Sequence, residues 1–443
     1  MDHLARPRGK HLRTFPVLPA LVSSALLVAT GCARNKGQET AATVITVSGS
    51  AVGREGDVLR AQLARFMKLH PEIRVVQRQT PDAADQRHQL YVQWLNAGVS
   101  EPDVLQLDVI WLAEFAAAGW IRPLDNYGTD MTAFFPATRE AAMWKGKLYA
   151  LPWFADVGML YWRTDLLAHA PATLAELVAQ AQASQAQAGI ADGFVWQGAR
   201  YEGLVCVFLE HLGAFGGQLL DDAGNVAVDS EAAARALTFM RDCISRQAIV
   251  PRSVLTWQEE QVRYDFQNGR AVFMRNWPYA YAMMQDPAQS RVAGRFAVAP
   301  MPATPAGHPT AALGGAQLAI NARSKHPDAA FTVIRFLTQP EQMLERARLI
   351  GQFPARQALY QGRDLEQALA IPAAQACEII AHAVPRPVTP AYAELSALLQ
   401  IQLHRALTGQ SEPAVALREA AAQMRTLLKR FAAQRESGHA PIR

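Results

Sequence analysis

A chain of 443 residues, half of them hydrophobic, is longer than one small core needs and predicts two lobes or domains, each able to bury a core of its own. The formal charge is +4 at pH 7, but Arg6, Arg8, Lys10 and Arg13 against Asp2 place most of that excess in the first 31 residues. The remainder is close to neutral, and nothing in it argues for the clustered basic face that nucleic-acid binding requires.

The basic start is followed by the apolar run FPVLPALVSSALLVAT and then by Gly31 and Cys32. Charged, apolar and small-residue regions in that order are the layout of an export signal. Pro19 interrupts the apolar run, leaving less than the ~20 residues that a bilayer span demands. A cysteine directly after a small residue resembles the lipobox of bacterial lipoproteins and implies a lipid anchor at Cys32, although Ala29 stands where that motif usually has Leu. A cleaved secretory signal with an incidental cysteine is the alternative. Either way the chain is expected outside the cytoplasm, periplasmic or at the cell surface. With Cys32 set aside, Cys206, Cys243 and Cys377 allow at most one disulfide, which is no disulfide framework. Cys206, inside GLVCVFLEHL, reads as a small buried hydrophobe. No Cys/His spacing suggests a metal, and no cofactor is expected.

After a polar tether, VITVSGS has the β-branched content of a strand. Val58, Leu59, Leu63, Phe66 and Met67 then recur at helical spacing until Pro71. IRVVQ is a second strand, QRHQLYVQWLNAG a helix ended by Gly98, DVLQLD a third strand and WLAEFAAAG a helix ended by Gly119. This alternation predicts a parallel sheet covered by helices. GKLYALPWFADVGMLYWRTDLL gives two extended runs around Asp156 and Gly158, and a second set of similar units follows. ATLAELVAQAQASQAQAG reads as a solvent-facing helix of high propensity, GFVWQG as a short strand, and YEGLVCVFLEHLG, EAAARALTFMRDCISR and WQEEQVRYDFQNG as helices. RAVFMRN is a strand that leads into NWPY, with Asn276 as a helix N-cap and Pro278 in the first turn. FAVAPMP and LGGAQLAINA are extended, and the last third is helical, its final helix carrying Leu417, Ala420, Met424, Leu427, Leu428 and Phe431 on one face.

Ligands of open α/β sheets sit beyond the carboxyl ends of the strands. Glu55 opens the first helix after VITVSGS, Asp108 closes DVLQLD, and Asp156 follows LPWFA, so three carboxylates fall at such ends. Each also has a structural explanation: Glu55 and Asp108 as charges near helix N-termini, Asp156 as a turn cap. Hydroxyl-rich sugars suit this chemistry, because carboxylates accept and arginines donate hydrogen bonds while Trp and Tyr cover the apolar C–H faces. For Trp277 and Tyr279 the competing explanation is plain core packing. The chain has no GxSxG, HExxH, P-loop or GxGxxG motif.

Several phrases, in order along the chain, resemble the extracellular solute-binding proteins of ABC sugar importers, in their trehalose/maltose-binding branch. They are VSGSAVGREGDVLRAQLARF, DVLQLDVIWLAEFAAAGWIRPLD, YALPWFADVGMLYWRTDLL, GFVWQGARYEGLVC, FMRNWPYAYA, LGG and VPRPVTPAY, and the resemblance spans nearly all of residues 43–435. It implies an α/β type II periplasmic-binding-protein fold, two α/β lobes joined by hinge strands with a ligand cleft between them. The division implied is 1–31 signal peptide, 32–42 tether, 43–154 with 303–357 as one lobe, and 155–302 with 358–443 as the other. The ligand contacts that it implies fall on Glu55, Arg87 in DQRH, Asp108, Asp156, Trp277 and Tyr279 of NWPY, Gly314 and Gly315 of LGG, and Arg386 of VPRP. Phe154 stands two residues before Asp156 where the branch commonly has Tyr, and Ala316 stands where LGG is usually followed by Trp. The pocket is therefore expected to be roomier, or to hold its ligand differently.

The role implied is capture without chemistry: a monomer that closes on a disaccharide, trehalose first and maltose second, and hands it to the transmembrane subunits of an ABC permease. A secreted glycoside-acting hydrolase using Asp108 and Asp156 is the enzyme alternative, and an adhesion or structural lipoprotein the third reading.

Overall fold

The computed structural model describes residues 42–49, 54–81, 84–221, 223–369 and 371–436. The leader, the tether up to residue 41 and the expectation placed on Cys32 lie outside the described residues. The strands are, in chain order, β1 (Thr43–Gly49), β2 (Ile73–Gln79), β3 (Val104–Asp108), β4 (Met143–Trp144), β5 (Lys147–Leu148), β6 (Ala150–Val157), β7 (Met159–Arg163), β8 (Asp192–Val195), β9 (Ala271–Asn276), β10 (Phe296–Ala299), β11 (Ala311–Ile320), β12 (Phe353–Pro354) and β13 (Ala383–Val384).

They form two main sheets, each the floor of one lobe. The larger has the order β12-β6-β11-β3-β1-β2, with β13 paired to β11; the smaller has the order β10-β7-β9-β8. β1 pairs in parallel with both β2 and β3, as the strand–helix alternation predicts. The sheet is nevertheless mixed, because β11 runs antiparallel to β3 and to β6. β11 arrives from the far side of the sequence, and its entry from the other lobe sets its direction. Apolar residues cover both faces of the large sheet: Ile45, Val47, Leu59 and Phe66 with Phe331 and Ile334 on one, Leu105, Leu107, Trp111 and Phe115 on the other. A separate core under the small sheet gathers Tyr161, Phe194, Phe208, Phe273 and the C-terminal helices.

Helix starts follow their local chemistry. Thr173 accepts the Glu176 backbone N–H ahead of the helix Leu174–Ala188, and Ser230 accepts that of Ala233 ahead of Glu231–Ser245. The Ala/Gln-rich helix is not wholly solvent-facing, since Leu174, Leu177, Ala181 and Ser184 are buried. Small residues and two leucines suffice to seat one face on the lobe. The NWPY expectation also needs correction. Asn276 ends β9 and its side-chain oxygen accepts the Trp277 N–H at 2.8 Å, while Pro278 takes the cap position of the short helix Tyr279–Met283. The strand holds Asn276 too firmly in the ladder for it to start the helix.

The chain passes between lobes where β6 gives way to β7, at Gly158, and where β11 begins. A buried ion pair occupies that junction. Arg275 of β9 and Glu210 are both fully shielded from water; the guanidinium Nε donates to Glu210 Oε2 at 2.8 Å, and a second nitrogen bonds Oε1. The same Oε1 accepts the Ala312 backbone N–H at 3.2 Å, and the Gly158 N–H donates to the Ala312 carbonyl at 3.4 Å. A Cβ on Gly158 would fall 1.8 Å from Glu210 Oε1 and 2.4 Å from an Arg275 nitrogen, so close approach alone reserves this position for glycine. Displacing one member of a buried, hydrogen-bonded charge pair costs about 3–5 kcal/mol. Gly158→Ala is therefore expected to lower unfolding free energy by about 3 kcal/mol, read from urea denaturation. A loss under about 1 kcal/mol would mean that the junction yields instead of clashing.

Candidate functional site

The carboxyl ends of β1 and β3, the crossing strands β6 and β11, and the starts of several helices converge on one cavity of about 420 Å³. From the large-sheet side come Glu55, Ala84, Arg87, Gln106, Asp108, Phe154, Asp156, Gly314, Gly315 and Ala316. From the small-sheet side come Tyr201, Glu202, Gly203, Cys206, the run Gln258–Gln261, Trp277, Tyr279 and Arg386. The nine residues that the resemblance implies as ligand contacts, together with Phe154, are thus brought to one place.

Strand register explains part of this convergence. Gly314 stands opposite Asp156, and Ala316 stands between Phe154 on one side and Asp108 on the other. Gly315 has φ of +102°, and a Cβ there would lie 2.3 Å from the Phe154 carbonyl oxygen. Gly314 is needed for a different reason: its missing side chain leaves room for the Trp277 ring, whose Cζ3 would be 3.3 Å from a Cβ. With Ala316 instead of a large ring, this wall carries no aromatic face at that position.

The aromatic pair is anchored from behind and at its tips. Trp277 lies over the Arg275 guanidinium, 3.9 Å from the ring centroid, and its indole N–H donates to Glu259 Oε1 at 3.3 Å. The Tyr279 hydroxyl donates to Glu260 Oε1 at 2.7 Å. Both rings are half-buried and line the cavity, Tyr279 also packing against the core under the small sheet. Burial alone would push the Glu260 carboxyl up, but Arg263 and the Tyr279 hydroxyl outweigh it and hold it below its usual range. The platform's polar tips are already engaged by the protein, which leaves the ring faces as what it offers.

The carboxylates are differently placed. Asp156 has an oxygen, Oδ1, that is shielded from water and has no hydrogen-bond partner. Burial, then repulsion from Glu55 and Asp108, pushes its carboxyl up to about 8, against the pull of Arg346 and Arg275. Glu55 accepts from Gln352 at 2.5 Å, and Gln352 accepts from Arg346 Nε at 2.7 Å. Arg346 is buried 4.0 Å over the Trp153 ring, and burial lowers its guanidinium to about 10. Asp108 accepts from Arg386 Nη2 at 3.0 Å, while Arg386 Nη1 donates to Glu202 at 2.7 Å. Arg87 is tied to the Pro81 carbonyl at 2.9 Å and stands 5.3 Å from the Trp111 ring centroid.

Sequence reading overlooked Tyr201, Glu202, Gly203 and the run Gln258–Gln261. Their acids sit at helix starts, the helix Glu202–Ala214 and the helix Glu259–Gln267, where a first-turn acid has an ordinary explanation. The phrase YEGLVC was the available signal. Cys206, read only as a buried hydrophobe, is buried and also borders the cavity; burial pushes its thiol up, so it stays un-ionised. Among the described residues Cys206, Cys243 and Cys377 are free, and no group of three His, Cys, Asp or Glu side chains is placed to hold a metal ion.

Known proteins carry the same arrangement of fold and sequence. Residues 61–373 match the family model described as bacterial extracellular solute-binding protein. A Deinococcus radiodurans protein named a probable ABC transporter-binding protein is 36% identical over 359 residues, covering 78% of this chain and 84% of that protein. The solved structure of maltose-bound MalE3 of T. maritima superposes with a TM-score of 0.83 at 42% identity, covering 87% of this chain and all of that one. The GacH receptor of Streptomyces glaucescens, solved unliganded and with acarbose, gives 0.79 at 25% identity over 88% of this chain and 99% of its own. Fold, cavity and sequence agree: the chain belongs to the bacterial extracellular solute-binding protein family.

Proposed function

We propose that this protein is the solute-binding component of an ABC sugar transporter and that its solute is a disaccharide, trehalose first and maltose second. The observation that carries the reading is the composition of the cavity, in which two flat aromatic faces stand among carboxylates and arginines drawn from both lobes. At about 420 Å³ the cavity lies within the ~300–1,000 Å³ typical of small-molecule sites. A disaccharide places apolar C–H faces on Trp277 and Tyr279 and hydroxyls against Glu55, Asp108, Asp156, Arg87 and Arg386. Phe154, Gly314 and Gly315 shape the wall between them. The kinship to maltose-bound MalE3 supports maltose as a ligand to be tried beside trehalose. A hydrolase acting through Asp108 and Asp156 draws no support from these relatives, and Asp108 is engaged by Arg386.

Function in this reading is closure. Each lobe offers part of the contact set, with the crossings at Gly158 and at the start of β11 a few residues beyond the 154/155 and 302/303 boundaries expected from the sequence, so solute stabilises the form that makes both parts. The shift is set by the difference in affinity between open and closed forms. The closed protein then docks on a membrane permease, which opens it and takes the sugar. A periplasmic or cell-surface location, a lipid anchor at Cys32 and a monomeric state complete the reading.

Titration of the purified protein with trehalose and with maltose by calorimetry is the direct test, and micromolar binding, about 8 kcal/mol, is expected for at least one. No heat with any di- or oligosaccharide would remove the reading. Trp277→Ala is expected to weaken binding by roughly 2 kcal/mol or more, because a half-buried ring face is lost from the contact. An affinity unchanged by that substitution would take the stacking role away from Trp277.

Asp156 gives a prediction for stability. Its folded value, about 8, is above its unfolded value of 3.8, so the folded protein holds an extra proton between those limits. Stability from this group is full below about pH 4 and lost as pH rises through about 8. The unfolding free energy of wild type is expected to fall relative to that of Asp156→Asn across this window by up to about 1.4 kcal/mol per pH unit, and its thermal midpoint to fall with it. Parallel midpoint curves for the two proteins would show that Asp156 titrates elsewhere.

A further inference from the structure

Arg386 bonds to partners on both sides of the cavity. It is 5% exposed, and its two terminal nitrogens point opposite ways: Nη2 to Asp108 at the end of β3 in the large sheet, Nη1 to Glu202 at the start of the helix Glu202–Ala214. The far partner, Asp108, also accepts the Ile110 backbone N–H at 3.2 Å. The near partner is the more heavily bound. Glu202 Oε1 accepts the Tyr392 hydroxyl at 2.8 Å as well as Arg386, and Oε2 accepts the Ser396 hydroxyl. Tyr392 and Ser396 are both on the helix Tyr392–Leu407, which packs against the helix that Glu202 begins. Glu202, Tyr392, Ser396 and Arg386 are all buried.

Such an arrangement fixes a long, flexible side chain. A guanidinium free to rotate loses conformational freedom on pairing, whereas one already gripped on one fork loses little more. Glu202 is not free to follow Arg386, because three further constraints hold it: two hydroxyls and its place at a helix start, where the positive end of the helix favours its charge. A second contact lies beside this one. The Asp85 carboxyl, on the helix Ala84–Asn96 of the other lobe, faces Glu202; burial and the Glu202 charge push it up to about 6, while the Glu202 backbone N–H pulls it down.

We propose that Glu202 is a positioning residue, which with Tyr392 and Ser396 holds Arg386 as a clasp that reaches across the cleft to Asp108. Closure is then driven in part by the protein's own side chains and not by solute alone. The clasp builds on the solute-binding reading of this cavity, but its physical content, a tie between lobes, does not depend on which solute is bound. Glu202 borders the cavity, but its carboxylate is taken up by Arg386, Tyr392 and Ser396, and it acts through the aim of Arg386.

The test measures lobe separation directly. Spin labels are placed at Lys68→Cys and Arg235→Cys, one exposed position in each lobe, in full-length protein carrying Cys32→Ser and Cys377→Ser. Distance distributions are recorded with and without trehalose or maltose for wild type, Glu202→Gln and Glu202→Asp. Glu202→Gln is expected to move the sugar-free distribution toward longer distances and to raise the dissociation rate of bound sugar about tenfold. Its thermal midpoint is expected to fall as well, because a buried charge pair is broken, so the clasp is read from the sugar-free distance distribution, which a loss of stability alone does not lengthen. Glu202→Asp, which keeps the charge, is expected to recover part of both effects. Distributions and dissociation rates that superimpose on wild type would overturn the clasp, as would an affinity loss that tracks the midpoint alone. Should Glu202→Gln fail to fold, Asp108→Asn releases the far end of the same tie, and an unchanged distance distribution there overturns the proposal equally. If wild type binds neither sugar while the distances still lengthen, the clasp stands and the sugar assignment falls.

Discussion

The pair formed by Arg275 and Glu210 is the contact on which the other features rest. Both groups are removed from water, so each requires the other. From that one place the pair reaches three parts of the molecule. It fixes the start of β11 through the Ala312 amide, it determines that residue 158 carries no side chain, and it lies beneath the Trp277 ring. Gln197 completes it with a hydrogen bond at 3.3 Å to the guanidinium. The junction between lobes and the floor of the aromatic platform are therefore one structure, and moving either disturbs the other.

A second constraint explains why a cavity wall holds so many acids. The helices Glu55–Leu69, Ala84–Asn96, Glu202–Ala214 and Glu259–Gln267 all present their first turns to the same space. Helix starts carry unpaired N–H groups and partial positive charge, which favour carboxylates. Parallel strands joined by helices produce this convergence without further design, since each strand's carboxyl end delivers the chain to the next helix start. At Asp156, where burial and the Glu55 and Asp108 charges outweigh Arg346 and Arg275, the charge is poorly tolerated and the proton is retained.

Much of this could be read from the residues in order. Strand ends and helix starts are local patterns that point Glu55, Asp108 and Asp156 toward a ligand, whereas Trp277 and Tyr279 are as well suited to a core until the resemblance of NWPY is added; all five line the cavity. The unread parts are relations between distant positions. Glu202 and Arg386 are 184 residues apart, and nothing local to either predicts that the first grips the second. Gly158 looks like any flexible link until the charge pair beside it is seen. Glu259 and Glu260 look like solvated first-turn acids until Trp277 and Tyr279 are found against them. Asn276 shows the reverse error, a cap signal overruled because ladder bonds held it in the strand.

The tethering of both aromatic tips decides what the rings can discriminate. With the indole N–H given to Glu259 and the phenol O–H given to Glu260, neither ring has a donor left for an incoming molecule. What remains is a pair of flat apolar surfaces held in fixed orientation. A six-membered ring whose substituents all radiate in its own plane lies flush on such a surface, whereas a single axial substituent on that side props it away. Selection by this part of the wall is thus stereochemical: it sorts epimers by thickness and not by the hydrogen bonds they make.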